Sequence, residues 1–364
     1  MSLARDRRLT QHYDRQSCSF RLSPTASLLA ICNGVANNKR PSSGRFPGRR
    51  GRRAGQRSRG RVEMKKRRLG RTGLEVSEIG FGALEIGRAW GLPIEGDFAV
   101  PSEKEAQAAL ERALALGINF IDTAPAYMLS EERIGKLLKH RRREFHLATK
   151  CGEYFDGYDS QYDFSTSATL KFIESSLERL QTDYLDLVQI HCGPDEVETI
   201  RRGEALEGML RAKKEGKVRW VGVSCHEPGA RATLEIGPYD VLQVPYSLLN
   251  RSIEDDVLSR AAALDVGIIV RDALARGRLT DKIRKMPTQD DPRADRAKAF
   301  IERLEARGTK TPLSQLAIQF VLRRPQVATV LIGTRNLLHL EGAVTAAGQT
   351  IDSSLLSELE AMTR

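Results

Sequence analysis

Leu185-Asp186-Leu187-Val188-Gln189-Ile190-His191 is a nearly continuous apolar run that ends on an ionisable residue, and similar runs recur along the chain. Such runs are typical of parallel β-strands that are buried on both faces. With this run, the sequence predicts eight strands, at 79–82, 118–122, 145–150, 185–191, 218–224, 241–244, 267–270 and 328–333.

Amphipathic stretches between these runs predict helices. They lie at 102–116, 166–180, 204–215, 254–264 and 311–323. The first begins with a capping box formed by Ser102 and Glu105 and ends before Gly117, a common helix stop. Alternating strands and helices predict parallel strands joined by right-handed crossovers. Eight units in about 300 residues favour a (β/α)8 TIM barrel. A doubly wound sheet is the alternative, but no strand runs into G-x-G-x-x-G.

Two connections are long for loops, at 85–101 after the first strand and at 276–310 after the seventh. Both fall at the expected catalytic mouth, where long loops are often functional. Four aromatic residues in or near the mouth either form a wall for an apolar or sugar-like substrate or simply pack: Trp90, Tyr154, Phe155 and Tyr158.

The excess positive charge is concentrated in residues 1–63, which we treat as a basic tail separate from a barrel at 64–364. The tail holds 15 of the 58 Lys and Arg and three of the 47 acids, so it carries +12 and the remainder −1. We expect the tail to be disordered. It is an upstream extension before Met64, an Arg-rich transit peptide, or a basic arm for nucleic acid or an anionic surface. Nucleic-acid binding would therefore depend on the tail alone.

The five cysteines are odd in number and form no C-x-x-C pair. This pattern argues against a disulfide framework and favours a reducing, cytoplasmic location. No apolar run approaches the ~18–20 residues that a membrane helix needs, so no membrane association is expected.

Four ionisable residues end or directly follow three consecutive predicted strands. Asp122 ends the second strand, Tyr127 follows five residues later, Lys150 ends the third and His191 ends the fourth. Each alone has an ordinary explanation as a helix cap, a packed ring, a solvated amine or a core imidazole. Because TIM-barrel active sites lie at the C-terminal ends of the strands, the four together predict one catalytic site.

These residue types suit the reduction of a carbonyl group. Hydride addition places negative charge on the oxygen, so a proton donor is needed there. The Lys150 ammonium is expected to lower the pKa of Tyr127 towards the working range, and Asp122 to keep Lys150 charged. His191 is expected to hydrogen-bond the substrate oxygen.

Five segments, in order, resemble the aldo-keto reductase family. They are RLGRTGLEVS at 68–77, IGFG at 79–82, FIDTAPAY at 120–127, ATK at 148–150 and QIH at 189–191. The similarity extends from residue 68 to about 347. It implies a catalytic tetrad at Asp122, Tyr127, Lys150 and His191. It also implies an N-terminal β-hairpin cap and NADP(H) bound across the barrel mouth, with an aldehyde or ketone as substrate.

The family's nicotinamide positions match this chain unevenly. Ser224 and Gln243 match residues that hold the nicotinamide amide, but Cys225 stands where the family usually has Asn. Arg271 stands where the family usually has an aromatic residue that stacks on the ring. A planar guanidinium can lie flat on the same ring.

The phosphate positions match better than the adenine position. Gly277 resembles part of the loop over the pyrophosphate. The segment after the eighth strand resembles the family's adenosine 2′-phosphate site and favours NADP over NAD; it comprises Gly333, Thr334, Arg335 and Asn336. Gly342 and Ala343 replace the family's frequent Glu-Asn pair, so we expect altered adenine contacts.

Two rival hypotheses remain beside the enzyme. A metal site could draw on residues at strand ends, namely Cys151, Cys192, Cys225, His191 and His226. Their spacing matches no short zinc motif and Lys150 would repel a cation, so no metal is expected; the thiols could instead make the pocket oxidation-sensitive. The family also includes cofactor-binding subunits of ion channels, so a regulatory subunit without turnover is the alternative function. We expect a monomer or weak oligomer.

Overall fold

The computed structural model describes residues 64–89, 99–286, 291–350 and 353–363. Residues 1–63 and Trp90 lie outside these ranges, so the expectations for the basic tail and for that side chain stay predictions. The described residues belong to one compact unit, which contains the barrel.

Eight parallel strands close into a barrel. The strands of the described residues are β1 (Lys66–Arg68), β2 (Glu75–Ser77), β3 (Ile79–Gly82), β4 (Phe120–Asp122), β5 (His146–Cys151), β6 (Glu153–Phe155), β7 (Ser160–Tyr162), β8 (Leu185–His191), β9 (Val218–Ser224), β10 (Val241–Pro245), β11 (Gly267–Arg271) and β12 (Val327–Ile332). Their order around the barrel is β10-β11-β12-β3-β4-β5-β8-β9. The last strand pairs with the first barrel strand, with Val330 opposite Ile79. This closure confirms the predicted (β/α)8 barrel, and the doubly wound alternative is wrong.

Helices follow the barrel strands. In the described residues they are α1 (Glu103–Ala115), α2 (Ser130–Leu138), α3 (Thr166–Leu180), α4 (Glu196–Arg202), α5 (Glu204–Lys214), α6 (Glu227–Ile236), α7 (Val257–Ala263), α8 (Pro292–Ala306), α9 (Leu313–Leu322), α10 (Leu337–Gly348) and α11 (Ser353–Ala361). The capping box at α1 is present, because the Ser102 side chain accepts from the Glu105 amide and the Glu105 side chain accepts from the Ser102 amide. No helix among the described ranges is long and apolar enough to cross a membrane.

The antiparallel hairpin of β1 and β2 covers the N-terminal end of the barrel. Leu69 in its turn is fully buried. A Cβ on Gly267, the first residue of β11, would come within 2.7 Å of the Leu69 side chain. The Arg67 guanidinium donates to the Val327 carbonyl at the start of β12 at 2.9 Å. The predicted hairpin cap therefore seals the end of the barrel opposite the catalytic rim.

Two local features differ from the sequence-based expectation. The predicted loop at 276–310 contains helix α8, which Asp291 caps by accepting from the Arg293 and Ala294 amides. The Asp-Pro pair at its start is a helix signal. The segment after β5 forms a second hairpin, in which Glu153 pairs with Tyr162 and Phe155 with Ser160. This hairpin places Glu153 and Tyr162 at the mouth of the barrel.

The barrel interior changes from apolar to polar towards its C-terminal end. A buried cluster contains Phe120, Ala148, Leu187, Val241 and Ile269. Side chains two positions apart on a strand share a face, so the next inward residue of each strand lies one layer higher. Those residues are Asp122, Lys150, Gln189, Gln243 and Arg271. Because side chains alternate in direction along each strand, the inward-facing residues form a polar layer directly above an apolar layer.

Candidate active site

Lys150 is at the centre of the polar layer, with only 1% of its surface exposed. Its Nζ donates to Asp122 Oδ2 at 2.6 Å, to the Thr123 carbonyl at 2.9 Å and to the Tyr127 hydroxyl at 3.2 Å. An ammonium has three hydrogens, so all of its donors are used. The contacts fix the amine beside the phenol.

The carboxylate of Asp122 is equally well held. Its Oδ1 accepts from Gln189 Nε2 at 3.1 Å and from Gln243 Nε2 at 2.8 Å. Gln243 in turn accepts from Ser224 Oγ at 3.2 Å. Buried charges need both pairing and hydrogen bonds, and this network supplies them for Lys150 and Asp122.

Burial, rather than the neighbouring ammonium, dominates the pKa of Tyr127. Burial raises this pKa, Lys150 lowers it, and the net result lies above the usual phenol value. Lys150 acts in the expected direction, but the expectation that it brings the pKa down towards neutrality is wrong in this structure. Burial lowers the pKa of Lys150, but Asp122 and Tyr127 outweigh it and the net pKa is raised. Both groups therefore keep their protons at neutral pH.

His191 lies beside Tyr127 at the end of β8. The two rings meet edge to face, with centroids 5.9 Å apart and an interplanar angle of 85°. Nδ1 of His191 lies 2.5 Å from Oε2 of Glu153 on the hairpin of β6 and β7. The structure thus brings all four predicted catalytic residues together and adds a carboxylate to them.

Asp122, Tyr127, His191 and Glu153 line a cavity of about 710 Å³. Ten predicted site residues line it: Asp122, Tyr127, His191, Ser224, Cys225, Gln243, Arg271, Gly277, Gly333 and Thr334. Lys150 is buried behind them. Arg335 and Asn336 are not on the cavity wall, because the Arg335 guanidinium donates to the Ala99 carbonyl and Asn336 caps α10. The volume is within the range of ligand pockets, about 300–1,000 Å³.

Comparisons with known proteins agree with this geometry. Residues 78–364 match the model of the Aldo/keto reductase family. The chain belongs to the aldo/keto reductase family. It is similar to L-galactose dehydrogenase of Arabidopsis thaliana, at 33% identity over 83% of this chain and 95% of that protein.

Two solved structures share the fold of this chain. The holo form of aldo-keto reductase AKR11C1 from Bacillus halodurans is 31% identical, with a TM-score of 0.71, covering 83% of this chain and 97% of that one. Glycerol dehydrogenase AKR11B4 from Gluconobacter oxydans is 26% identical, with a TM-score of 0.65, covering 83% and 95%. The aldo/keto reductase homologues are oxidoreductases.

Arg271 replaces the family's usual aromatic residue with a tethered cation. Its guanidinium donates to Asp272 at 3.0 Å and to the Cys225 carbonyl at 3.4 Å. Nε2 of His226 lies 3.5 Å away. Arg271 is therefore held at the cavity wall beside Cys225.

The cavity residues that were not found from the sequence include Arg88, Glu153, Lys282 and His339. Lys282 follows the Gly277 loop by five residues, and His339 lies between Asn336 and Gly342, so both are close in sequence to positions that the resemblance assigns to the cofactor. Glu153 follows Lys150 by three residues, but its role depends on the unpredicted hairpin. Arg88 packs 3.3 Å from the Phe155 ring centroid.

The structure also bears on the aromatic wall, the metal site and the cysteine thiols considered from the sequence. Tyr154 and Tyr158 are exposed, and Phe155 packs under Arg88, so they form no common wall; Tyr162 lines the cavity instead. For the metal alternative, the described ranges contain no group of three His, Cys, Asp or Glu side chains that could hold a metal ion. Cys192 and Cys225 line the cavity as free thiols.

Proposed function

We propose that this chain is an NADP(H)-dependent oxidoreductase that reduces an aldehyde or ketone to an alcohol, with Tyr127 as the proton donor. The observation that carries the proposal is the 3.2 Å contact between the Lys150 ammonium and the Tyr127 hydroxyl at the cavity wall. A paired amine beside a partly buried phenol supplies both a proton and a positive charge to a developing alkoxide.

Each residue of the tetrad has a separate task in this proposal. Tyr127 gives its proton to the carbonyl oxygen. Lys150 stabilises the phenolate that remains, and Asp122 keeps Lys150 charged and oriented at 2.6 Å. His191 contacts the same substrate oxygen from the other side of Tyr127. The tetrad is thereby expected to contribute about 10²–10⁴-fold through proton transfer alone.

The lining of the cavity suits a dinucleotide. Besides three residues of the tetrad it includes Ser224, Arg271, Gly277, Lys282 and Gly333. A bound nicotinamide cofactor would supply the hydride. Ser224 and Gln243 would hold its amide, and the Lys282 ammonium would face its phosphates.

Preference for NADP over NAD rests on the segment after β12. Gly333 and Thr334 line the cavity, and Arg335 follows directly. Its guanidinium is within reach of Ala99 rather than of the cavity, so binding a 2′-phosphate requires it to turn. An arginine at the opening of α10 suits a phosphate because its planar fork matches phosphate oxygens.

The substrate end of the cavity favours a small polyhydroxylated compound. Charged and hydroxyl-bearing side chains line the cavity together with Tyr127, among them Arg88, Glu153, Tyr162 and His226. Two relatives are named for such compounds, L-galactose and glycerol. Polar walls of this kind discriminate by hydrogen bonds to substrate hydroxyls. We place the enzyme in the cytoplasm, because Cys151, Cys192 and Cys225 are all free.

A substrate screen tests this function. Purified protein is supplied with NADPH or NADH and with matched sugar aldehydes, short polyol ketones and apolar aldehydes, and cofactor absorbance is followed. Faster oxidation of NADPH with the polyhydroxylated set is expected. Tight NADPH binding without turnover on any carbonyl would contradict the enzyme and favour the cofactor-binding regulatory subunit.

A further inference from the structure

Arg271 is a cation that three contacts hold in place at the cavity wall. Its guanidinium donates to Oδ2 of Asp272 at 3.0 Å and to the Cys225 carbonyl at 3.4 Å. Nε2 of His226 lies 3.5 Å from the same guanidinium. Only 23% of the Arg271 side chain is exposed. A cation that is tethered and largely buried acts from a fixed position and is only weakly screened by salt and water.

The tether places the guanidinium next to the residues proposed to hold the nicotinamide amide. The carbonyl that accepts from it belongs to Cys225, which directly follows Ser224. The Cys225 amide in turn donates to the Gln243 carbonyl at 3.1 Å. All four residues line the same cavity as Tyr127. The cation and the proposed amide-binding residues therefore belong to one part of the cavity wall.

The charge of Arg271 also acts on the catalytic residues. Burial is the largest influence on the pKa of Tyr127, which it raises, and on the pKa of His191, which it lowers, and Arg271 lowers both. A carbonyl oxygen that takes the Tyr127 proton must lie within hydrogen-bonding reach of that hydroxyl. The hydride donor must in turn contact the carbonyl carbon. A nicotinamide ring bound for reaction therefore lies within the field of Arg271.

The neighbouring carboxylate cancels only part of this positive charge. Asp272 lies 3.0 Å from Arg271 and 3.8 Å from Arg276, so one acid is shared by two cations. Lys150 differs, because its ammonium has the carboxylate of Asp122 at 2.6 Å. The group formed by Arg271, Asp272 and Arg276 thus presents a net positive charge to the cavity that all three residues line.

We propose that Arg271 is a specificity-determining residue that makes this chain bind the reduced nicotinamide cofactor more tightly than the oxidised one. The nicotinamide ring is positively charged when it is oxidised and neutral when it is reduced. A fixed cation nearby repels the oxidised ring and exerts no such repulsion on the reduced ring. This preference rests on the proposed function, because it requires the cofactor in this cavity.

The expected preference is moderate, because Asp272 offsets part of the repulsion. We expect the dissociation constant of NADP⁺ to exceed that of NADPH on the order of tenfold. A tenfold ratio raises the reduction potential of the bound two-electron couple by about 30 mV. A reductase with this preference retains NADPH and releases NADP⁺ after turnover.

Equilibrium binding measures this preference without any turnover. The dissociation constants of NADPH and NADP⁺ are determined by titration calorimetry for wild type, Arg271→Gln and Arg271→Lys. Arg271→Gln removes the charge and is expected to bring the ratio of the two constants close to one, mainly because NADP⁺ binds more tightly. Arg271→Lys keeps the charge and is expected to keep the preference for NADPH.

Lys282→Gln is the matched control, because it removes another cation from the wall of the same cavity. Lys282 is assigned to the cofactor phosphates, whose charge is the same in both redox states. Both dissociation constants are therefore expected to rise together, and their ratio is expected to stay at the wild-type value.

Asp272→Asn tests the proposal with the opposite sign. Asp272 has a φ of 59°, and asparagine tolerates this left-handed backbone. The substitution removes the charge that partly offsets Arg271, so the ratio is expected to rise above the wild-type value. This result decides the proposal independently if Arg271→Gln does not fold, which thermal unfolding monitors.

Three results would overturn the proposal: a wild-type ratio of one or less, equal changes of both dissociation constants in Arg271→Gln, or an unchanged or lower ratio in Asp272→Asn. Equal changes would indicate that Arg271 serves packing or stacking alone. If wild type binds neither form of the cofactor, the proposed function fails together with the preference. Binding of both forms without preference contradicts the role of Arg271 alone.

Discussion

The ammonium of Lys150 lies 2.6 Å from Oδ2 of Asp122, and both side chains are almost completely buried. Breaking such a pair on one side leaves an unpaired buried charge and costs about 3–5 kcal/mol. We therefore expect Lys150→Met to lower the free energy of unfolding by about that amount and to reduce turnover. Denaturant titration and kcat measure the two effects.

The double variant Lys150→Met, Asp122→Asn separates stability from catalysis. Removing both charges is expected to recover most of the lost stability, since a neutral pair has no unpaired charge. Activity is expected to stay low, because the amine beside Tyr127 is still missing. Recovery of activity together with stability would show that the pair serves folding alone.

The segment after β12 is expected to determine the choice of cofactor. Arg335→Ala should weaken NADPH binding by about 10–100-fold, since a hydrogen bond to a charged group contributes roughly 1.5–3 kcal/mol. NADH binding should change little. Fluorescence titration of both cofactors, with the exposed Arg202→Ala as control, provides the measurement. An equal loss for both cofactors would remove Arg335 from the 2′-phosphate.

The pocket thiols are expected to react slowly. Burial raises the pKa of Cys192 well above its ordinary value, and burial also raises the pKa of Cys225. Because the thiolate is the reactive form, iodoacetamide at neutral pH should leave turnover intact, with inactivation appearing only as the pH rises. The readout is residual activity and not total alkylation, because Cys18 and Cys32, which lie outside the described residues, also carry thiols. Rapid inactivation at neutral pH that is absent in Cys192→Ser would contradict this prediction and support the hypothesis of an oxidation-sensitive pocket.

Asp186 is expected to make stability depend on pH in the acidic range. Burial raises its pKa, but His146, Arg142 and the Leu147 amide outweigh burial and lower the pKa to about 2. A depressed carboxyl pKa stabilises the fold above the unfolded value of ~3.9 and loses this effect as the pH falls towards 2. Asp186→Asn should therefore cost roughly 2 kcal/mol at neutral pH.

The difference between Asp186→Asn and wild type should shrink below about pH 4. The exposed Asp183→Asn is the control and should show no such trend. Urea unfolding across this pH range tests it, and a constant difference down to pH 2 would contradict the charge-based explanation.

The barrel could be predicted because its signals are local. The run at Leu185–His191 and that at Val218–Ser224 form strands with the predicted bounds. The same strand periodicity places Asp122 and Lys150 at the rim. The sequence contained the signals for α8 as well, in Asp291 and the proline after it, but the length of the connection obscured them.

The contact between Glu153 and His191 could not be predicted, because it needs two non-local facts. His191 ends β8, which pairs with β5, and Glu153 lies on a hairpin that departs from β5. No apolar periodicity marks such a short, exposed hairpin. The pKa of Tyr127 could not be predicted for a related reason, since its largest cause, burial of the phenol, exists only in the assembled barrel mouth.

The central claim is that Tyr127 supplies the proton beside a paired lysine, and Tyr127→Phe tests it most directly. This change removes one hydroxyl and keeps the ring that contacts His191 edge to face. Carbonyl reduction is expected to fall by about 10²–10⁴-fold, while NADPH binding measured by fluorescence stays within about twofold, because the substitution removes no group assigned to the cofactor. Turnover equal to wild type, with cofactor bound, would contradict the account.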